Sequence, residues 1–157
     1  MIRIEKALTQ PVPSDIYTIG APEDVLFFDI ETTGLSARSA GLYLIGMLTY
    51  TDKKWTLLQF FCEDVADEPA VLQAFFELLH TKKILVSYNG DGFDIPFLRH
   101  MLEQYGLPYS FDAVESFDLF KKFRPLKRLL GLPDLKLKSC ERFLGIDRED
   151  RFTGGEL

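Results

Sequence analysis

The sequence predicts an α/β domain on a mixed five-stranded sheet, three antiparallel strands first and two parallel strands after them, flanked by helices. Three observations predict it. Residues 25–30 are apolar on both faces up to Asp29, as a central strand covered on both sides must be. Two more apolar runs, 42–50 and 54–61, follow with only "TDK" between them, a spacing short enough for an antiparallel hairpin. From residue 68 onward helical and strand patterns alternate, which adds strands with helices packed against the sheet.

The elements follow in order. Residues 1–23 read as an N-terminal arm, with "QPVPS" marking irregular backbone, and 24–157 as one domain. After the first strand comes the loop "TTGLSARSAG" and then the hairpin. Residues 68–80 place Val71, Leu72, Phe75, Phe76, Leu78 and Leu79 on one helical face, with Pro69 tolerated in the first turn. "KILVSY" is a short strand, "NGDG" a turn, and "DIPFLRHMLEQYG" a second helix that opens with Pro96 and stops at Gly106. "AVESFDLF" gives a fifth strand leading into a basic helix near 118–130, and "LKSCERFLG" a last short helix closed by Gly145. Ligands of such sheets gather at the carboxyl ends of central strands, where both Asp29 and the "YNGDGFD" turn fall.

Composition narrows the function classes. The 157 residues are enough to bury a core without staples, and hydrophobic residues at 46% with charged ones at 27% are globular values. No apolar run reaches the roughly 18 residues of a membrane helix, and charges from the third residue onward break up any export signal, so a cytoplasmic protein is expected. Cys62 and Cys140 are too few for a disulfide framework or a thiolate metal cage. A net charge of −6 opposes general affinity for phosphates, so the distribution of cations has to decide that question.

Two constellations carry chemistry. Residues two apart in a strand point to the same side, so Asp29 and Glu31 aim both carboxylates at one point just past the apolar section. Close like charges raise each other's pKa and destabilise the fold, whereas a hard divalent ion turns the repulsion into coordination. Solvation of a strand end is the alternative. In "YNGDGFDIPFL", Asp94 stands two residues before Pro96, where it suits either an N-cap or a ligand, and Asn89 with its two glycines also suits an ordinary turn.

Together "FFDIETTGL" and "NGDGFDIPFL" resemble the first and second motifs of the DEDD exonucleases, which have the ribonuclease H-like fold and include the proofreading domains of DNA polymerases. The succession "FFDIETTGLS", "YLIG", "SYNGDGFDIPFL", "KLKSCERFLG" and "DRFTGGEL" is most similar to bacterial YprB-like proteins, and spans residues 24–157. The resemblance implies that Asp29, Glu31 and Asp94 bind metal in a 3′ to 5′ exonuclease acting on single-stranded DNA or RNA. It implies two Mg²⁺ or Mn²⁺ ions, about 4 Å apart, in a complete site. It also assigns the backbone of Thr32, Thr33 and Gly34 and the side chain of Leu35 to the terminal nucleotide, with Asn89 and Phe93 on the opposite wall; a tight turn and a core aromatic are the alternatives.

The family carries a fourth acid on a late helix, and neither His80 nor His100 begins such a motif. The sequence therefore predicts a site short of one ligand, holding one ion, with little nuclease activity left to the chain. Asp118 is the nearest substitute, as an outlying supporting group or a replacement ligand, although an acid before a helix-forming run is also a usual cap. In "KKFRPLKR", Lys121, Lys122 and Arg124 predict a phosphate track, with a solvated helix face as the alternative. The readings that result are a metal-dependent nuclease domain, a nucleic-acid-binding or scaffolding module with the same fold, and a phosphatase-like hydrolase of nucleotides.

Overall fold

A computed structural model of the chain describes residues 1–9, 12 and 14–146, so the "DRFTGGEL" segment lies outside the described residues. The strands are β1 (Ile2–Ala7), β2 (Val25–Thr32), β3 (Leu42–Thr51), β4 (Lys54–Phe61), β5 (Ile84–Ser87) and β6 (Glu115–Asp118). The helices are α1 (Glu68–Leu79), α2 (Asp94–Tyr105), α3 (Leu119–Phe123) and α4 (Leu137–Phe143). They build a mixed sheet of order β1-β4-β3-β2-β5-β6, antiparallel from β1 to β2 and parallel from β2 to β6.

The fold class stands as expected, with two corrections. The sheet has six strands rather than five, because residues 2–7 of the supposed arm pair with β4 from Ile2↔Phe61 to Ala7↔Thr56. "IRIEKA" does alternate, but every residue of it is exposed, so no buried face marks the strand in the sequence; backbone pairing and Arg3, which reaches Glu5 and the Phe60 ring, hold it. The basic helix near 118–130 shrinks to α3 and a single 3₁₀ turn, Arg124–Leu126, because Pro125 removes a backbone donor there.

Alternation along β2 sorts the core onto two faces. Leu26, Phe28 and Ile30 pack with Phe75 and Phe76 of α1 and Leu98 and Met101 of α2, forming the main core. Val25 and Phe27 lie on the other face with Trp55, Tyr50, Val86 and Leu119. Trp55 thus belongs to the core, its ring edge-on to Phe27 and Tyr50. At the foot of α1, Glu68 is buried, yet it accepts the Leu42 N–H (2.9 Å) and the Tyr105 hydroxyl, so one carboxylate joins β3, α1 and α2. Among the described residues no helix is long and apolar enough to cross a membrane.

The β3–β4 hairpin turns through Asp52 (φ 49°) and Lys53 (φ 62°), the two left-handed positions of a type I′ turn. Lys53→Gly should relieve about 1–2 kcal/mol of left-handed strain and add about 0.5–1 kcal/mol of chain entropy. The expected outcome is a net gain of roughly 0.5 kcal/mol, read as a higher urea midpoint at constant m-value.

Candidate functional site

On β2 the face that begins with Val25 and Phe27 continues with Asp29 and Glu31, so the strand leaves the core by exchanging apolar side chains for acids. The parallel ladder with β5 ends at the pair Phe27↔Val86. The next donor on β2 to be taken from outside the sheet, the Ile30 N–H, goes to Oδ1 of Asp94 at 3.1 Å. Asp94 is the first residue of α2 and only 4% exposed, and its side chain bonds β2 in place of a cap on its own helix. The third carboxylate is thereby fixed against the backbone of the residue that separates the other two.

The three charges act on one another. Asp29 is open to solvent but set against packed protein, and burial, then Asp94, then Glu31 push its carboxyl up to about 6. Burial also raises Asp94; the Ile30 N–H opposes this, and Asp118 and Glu31 add to it. A bulge between Glu31 and Thr32 in the β2–β3 register leaves Tyr43 out of the pairing, and its hydroxyl donates to Oε2 of Glu31 at 3.4 Å. Tyr43 opens the "YLIG" motif, yet its role is hidden from the sequence, since a bulge has no signature in the apolar pattern. Among the described residues no three acidic, histidine or cysteine side chains close into a preformed metal cage. The donors do fit a hard divalent ion in kind, being all oxygen and mutually repelling.

Asn89 supports the second segment from a left-handed conformation (φ 64°), its carbonyl accepting from Gly92 and Phe93. Gly90 is required by closeness, because a Cβ there would stand 2.6 Å from the Cβ of buried Ser87. Across a cleft of about 180 Å³, Leu35 faces Phe93, Pro96 and Phe97. Leu35 is 89% exposed, standing off a loop whose base is closed by reciprocal bonds between Thr33 and Gly41, while the Thr32 hydroxyl bonds the Gly34 carbonyl. Asn89 is exposed but is not among the residues lining this cleft.

Asp118 is buried, and its charge acts on Asp94. It caps α3 through the Phe120 N–H (2.9 Å) and also accepts from Asn89 N (2.8 Å) and Asp91 N (3.2 Å). Both oxygens are thus committed to backbone donors, and Asp118 anchors the turn that leads to Asp94. The expected track of Lys121, Lys122 and Arg124 is divided: Lys121 pairs with Asp91, Lys122 lies 4.9 Å from the centre of the Phe117 ring, and Arg124 has no ion-pair partner among the described residues. Tyr88 bonds the Leu135 carbonyl (2.6 Å) and Cys140, tethering the segment that follows α3.

Two outcomes follow. Because Asp29 is raised, the folded state holds its proton more tightly than the unfolded chain does; the stability this brings is present below the unfolded value near 4 and lost as pH rises through about 6, and the raised Asp94 acts in the same direction. In chelator-treated buffer Asp29→Asn should therefore melt higher than wild type at pH 7.5, with the gap narrowing towards pH 4.5; equal gaps at both would contradict the repulsion. Asp118→Asn puts an amide against N–H donors and should cost about 1–3 kcal/mol in chemical denaturation, with or without Mn²⁺.

Comparison with known proteins agrees with this architecture. Residues 26–157 match the family described as RNase_H superfamily. The DNA polymerase of Desulfurococcus sp. (strain Tok) is 29% identical over 94 residues, covering 54% of this chain and 12% of the polymerase. Among solved structures, E. coli exonuclease I in complex with a dT13 oligonucleotide superposes with a TM-score of 0.59 at 17% identity, over 80% of this chain and 36% of that one. Its zinc-bound complex with single-stranded DNA gives 0.58 at 17% identity, over 78% and 35%. The chain spans only a minor part of the length of each of these proteins, and at such identities the structural likeness speaks for the fold. With the sheet order, the strand-end acids and a match over nearly the whole described domain in place, the chain belongs to the RNase_H superfamily.

Proposed function

We propose that this chain is a metal-dependent nuclease domain of the DEDD type and YprB-like kind, removing nucleotides from the 3′ end of single-stranded DNA or RNA. The observation that carries the reading is the hydrogen bond from Ile30 N–H to Asp94, which brings an acid from a distant helix to the strand end already bearing Asp29 and Glu31. Those three carboxylates are the residues to hold Mg²⁺ or Mn²⁺. A bound ion supplies water activation and stabilises charge developing on the phosphate. The chain's own part is placement: Tyr43 orients Glu31, and the cleft between Leu35 and Phe93 receives the terminal nucleotide, with the backbone of Thr32, Thr33 and Gly34 on one side and Asn89 beyond the other. The oligonucleotide and the zinc ion carried by the similar exonuclease I structures support the choice of ligands.

One observation favours a second reading, a nucleic-acid-binding module with the same fold. The acids do not close into a cage among the described residues, and Asp118 is committed to backbone N–H groups. A 5′-labelled oligonucleotide incubated with the protein and Mn²⁺ separates the two. Stepwise shortening from the 3′ end, reduced more than 100-fold in Asp94→Asn, is the expected result, because several kcal/mol of charge stabilisation depends on the ion and each 1.36 kcal/mol is tenfold in rate. Binding of the strand without any cleavage would establish the module instead.

A further inference from the structure

The basic run "KKFRPLKR" is divided by the fold into two halves with different duties. Its first half is engaged by neighbouring side chains, although both lysines stay exposed. Lys121 pairs with Asp91, which also accepts from Ser116, and Lys122 covers the Phe117 ring. Its second half faces outward: Arg124, Lys127 and Arg128 line an open groove of about 610 Å³ whose remaining walls are Pro125, Gly131, Leu132 and Pro133, with no acid among them. Arg124 and Arg128 make no ion pair among the described residues, and Lys127 interacts electrostatically with Asp134, next to the lining residue Pro133. Three cations gathered in a groove with no acid in its lining are unexpected on a chain of net charge −6; Asp134 offsets Lys127 in part, and the remaining repulsion is relieved by an anion between them.

The groove is held in fixed relation to the acids. The segment that bears it leaves the sheet at Asp118, whose carboxylate bonds the N–H groups of Asn89 and Asp91. It returns at Leu135, whose carbonyl accepts the Tyr88 hydroxyl. Both feet of the excursion thus stand on the turn that delivers Asp94. From Asp118 to Arg124 a helical rise of 1.5 Å per residue gives about 9 Å, the length of two to three stacked nucleotides at 3.4 Å each.

We infer that Arg124, Lys127 and Arg128 form a phosphate-gripping groove for the nucleic-acid strand a few nucleotides away from the end held at the acids. The inference rests on the nuclease-fold reading above and replaces Lys121 and Lys122 as the phosphate contacts. Three such contacts make the groove a length gauge: a strand of about three nucleotides fills the acid site and barely reaches the groove, whereas one of about fifteen engages it fully.

Fluorescence anisotropy of labelled oligothymidylates of these two lengths, titrated at several salt concentrations in Ca²⁺ to limit cleavage, tests it. Each phosphate contact on a single strand adds about 0.7 to the log-log salt slope. For the longer strand, Arg124→Gln/Lys127→Gln/Arg128→Gln should flatten the slope by about 2, and Arg124→Gln or Arg128→Gln alone by about 0.7; the shorter strand should change little. Lys53→Gln/Lys54→Gln, in the hairpin turn at the opposite end of β3, should leave the slope as it is, with all variants checked for wild-type melting. Equal slopes for wild type and the triple variant, in a protein that still shortens strands, would overturn the groove and leave the nuclease reading standing. An equal flattening by the Lys53/Lys54 pair would reduce the effect to net charge and overturn it too. A wild type that neither binds nor cleaves either strand would overturn both.

Discussion

A single hydrogen bond, from the Ile30 N–H to the Asp94 carboxylate, sets the geometry on which the rest of the site depends. It closes β2 where β5 has already ended, satisfying a buried donor that would otherwise cost about 1–3 kcal/mol. The same bond orients the start of α2, whose apolar face fills the main core through Leu98 and Met101. Fold and site therefore share one contact.

Around it, carboxylates do three kinds of work, separated by what surrounds them. Glu68 is buried and met by a backbone N–H and a tyrosine hydroxyl, so it serves as a joint between β3, α1 and α2. Asp118 is buried and met by three backbone N–H groups, so it serves as an anchor for a left-handed turn. Burial and the neighbouring charges of Asp94 and Glu31 outweigh the one backbone bond, at Ile30, that favours the Asp29 charge, and its raised affinity for a proton is the mark of a charge only partly compensated. Satisfied acids stabilise; the unsatisfied cluster is where chemistry is expected, since the fold bears its repulsion without return in the absence of a cation.

The basic excursion between Asp118 and Leu135 follows the same economy. Cations close to the acidic turn are neutralised by it, as Lys121 is by Asp91, and this pairing stiffens the base of the excursion. Cations farther along, past Pro125, have no acid in their groove. One run of charge thus becomes both a brace and an outward-facing surface, because the chain bends in the middle of it.

What the sequence determined by itself is what local periodicity can carry. Alternation put Asp29 and Glu31 on one side of a strand, and the 3.6-residue repeat gave α1 its buried face, since both depend only on residues a few positions apart. Motif order also made the superfamily legible, and the match over residues 26–157 agrees. Only tertiary structure decided the rest. Asp94 could be read as a cap until a contact spanning 64 positions tied it to β2. The edge strand β1 carried no buried face to announce it, and Tyr43 reached Glu31 through a bulge that no composition marks. The fates of Lys121 and Arg124, three residues apart in one basic run, were set by whether an acid from the neighbouring turn lay within reach, which a one-dimensional charge pattern has no means to encode.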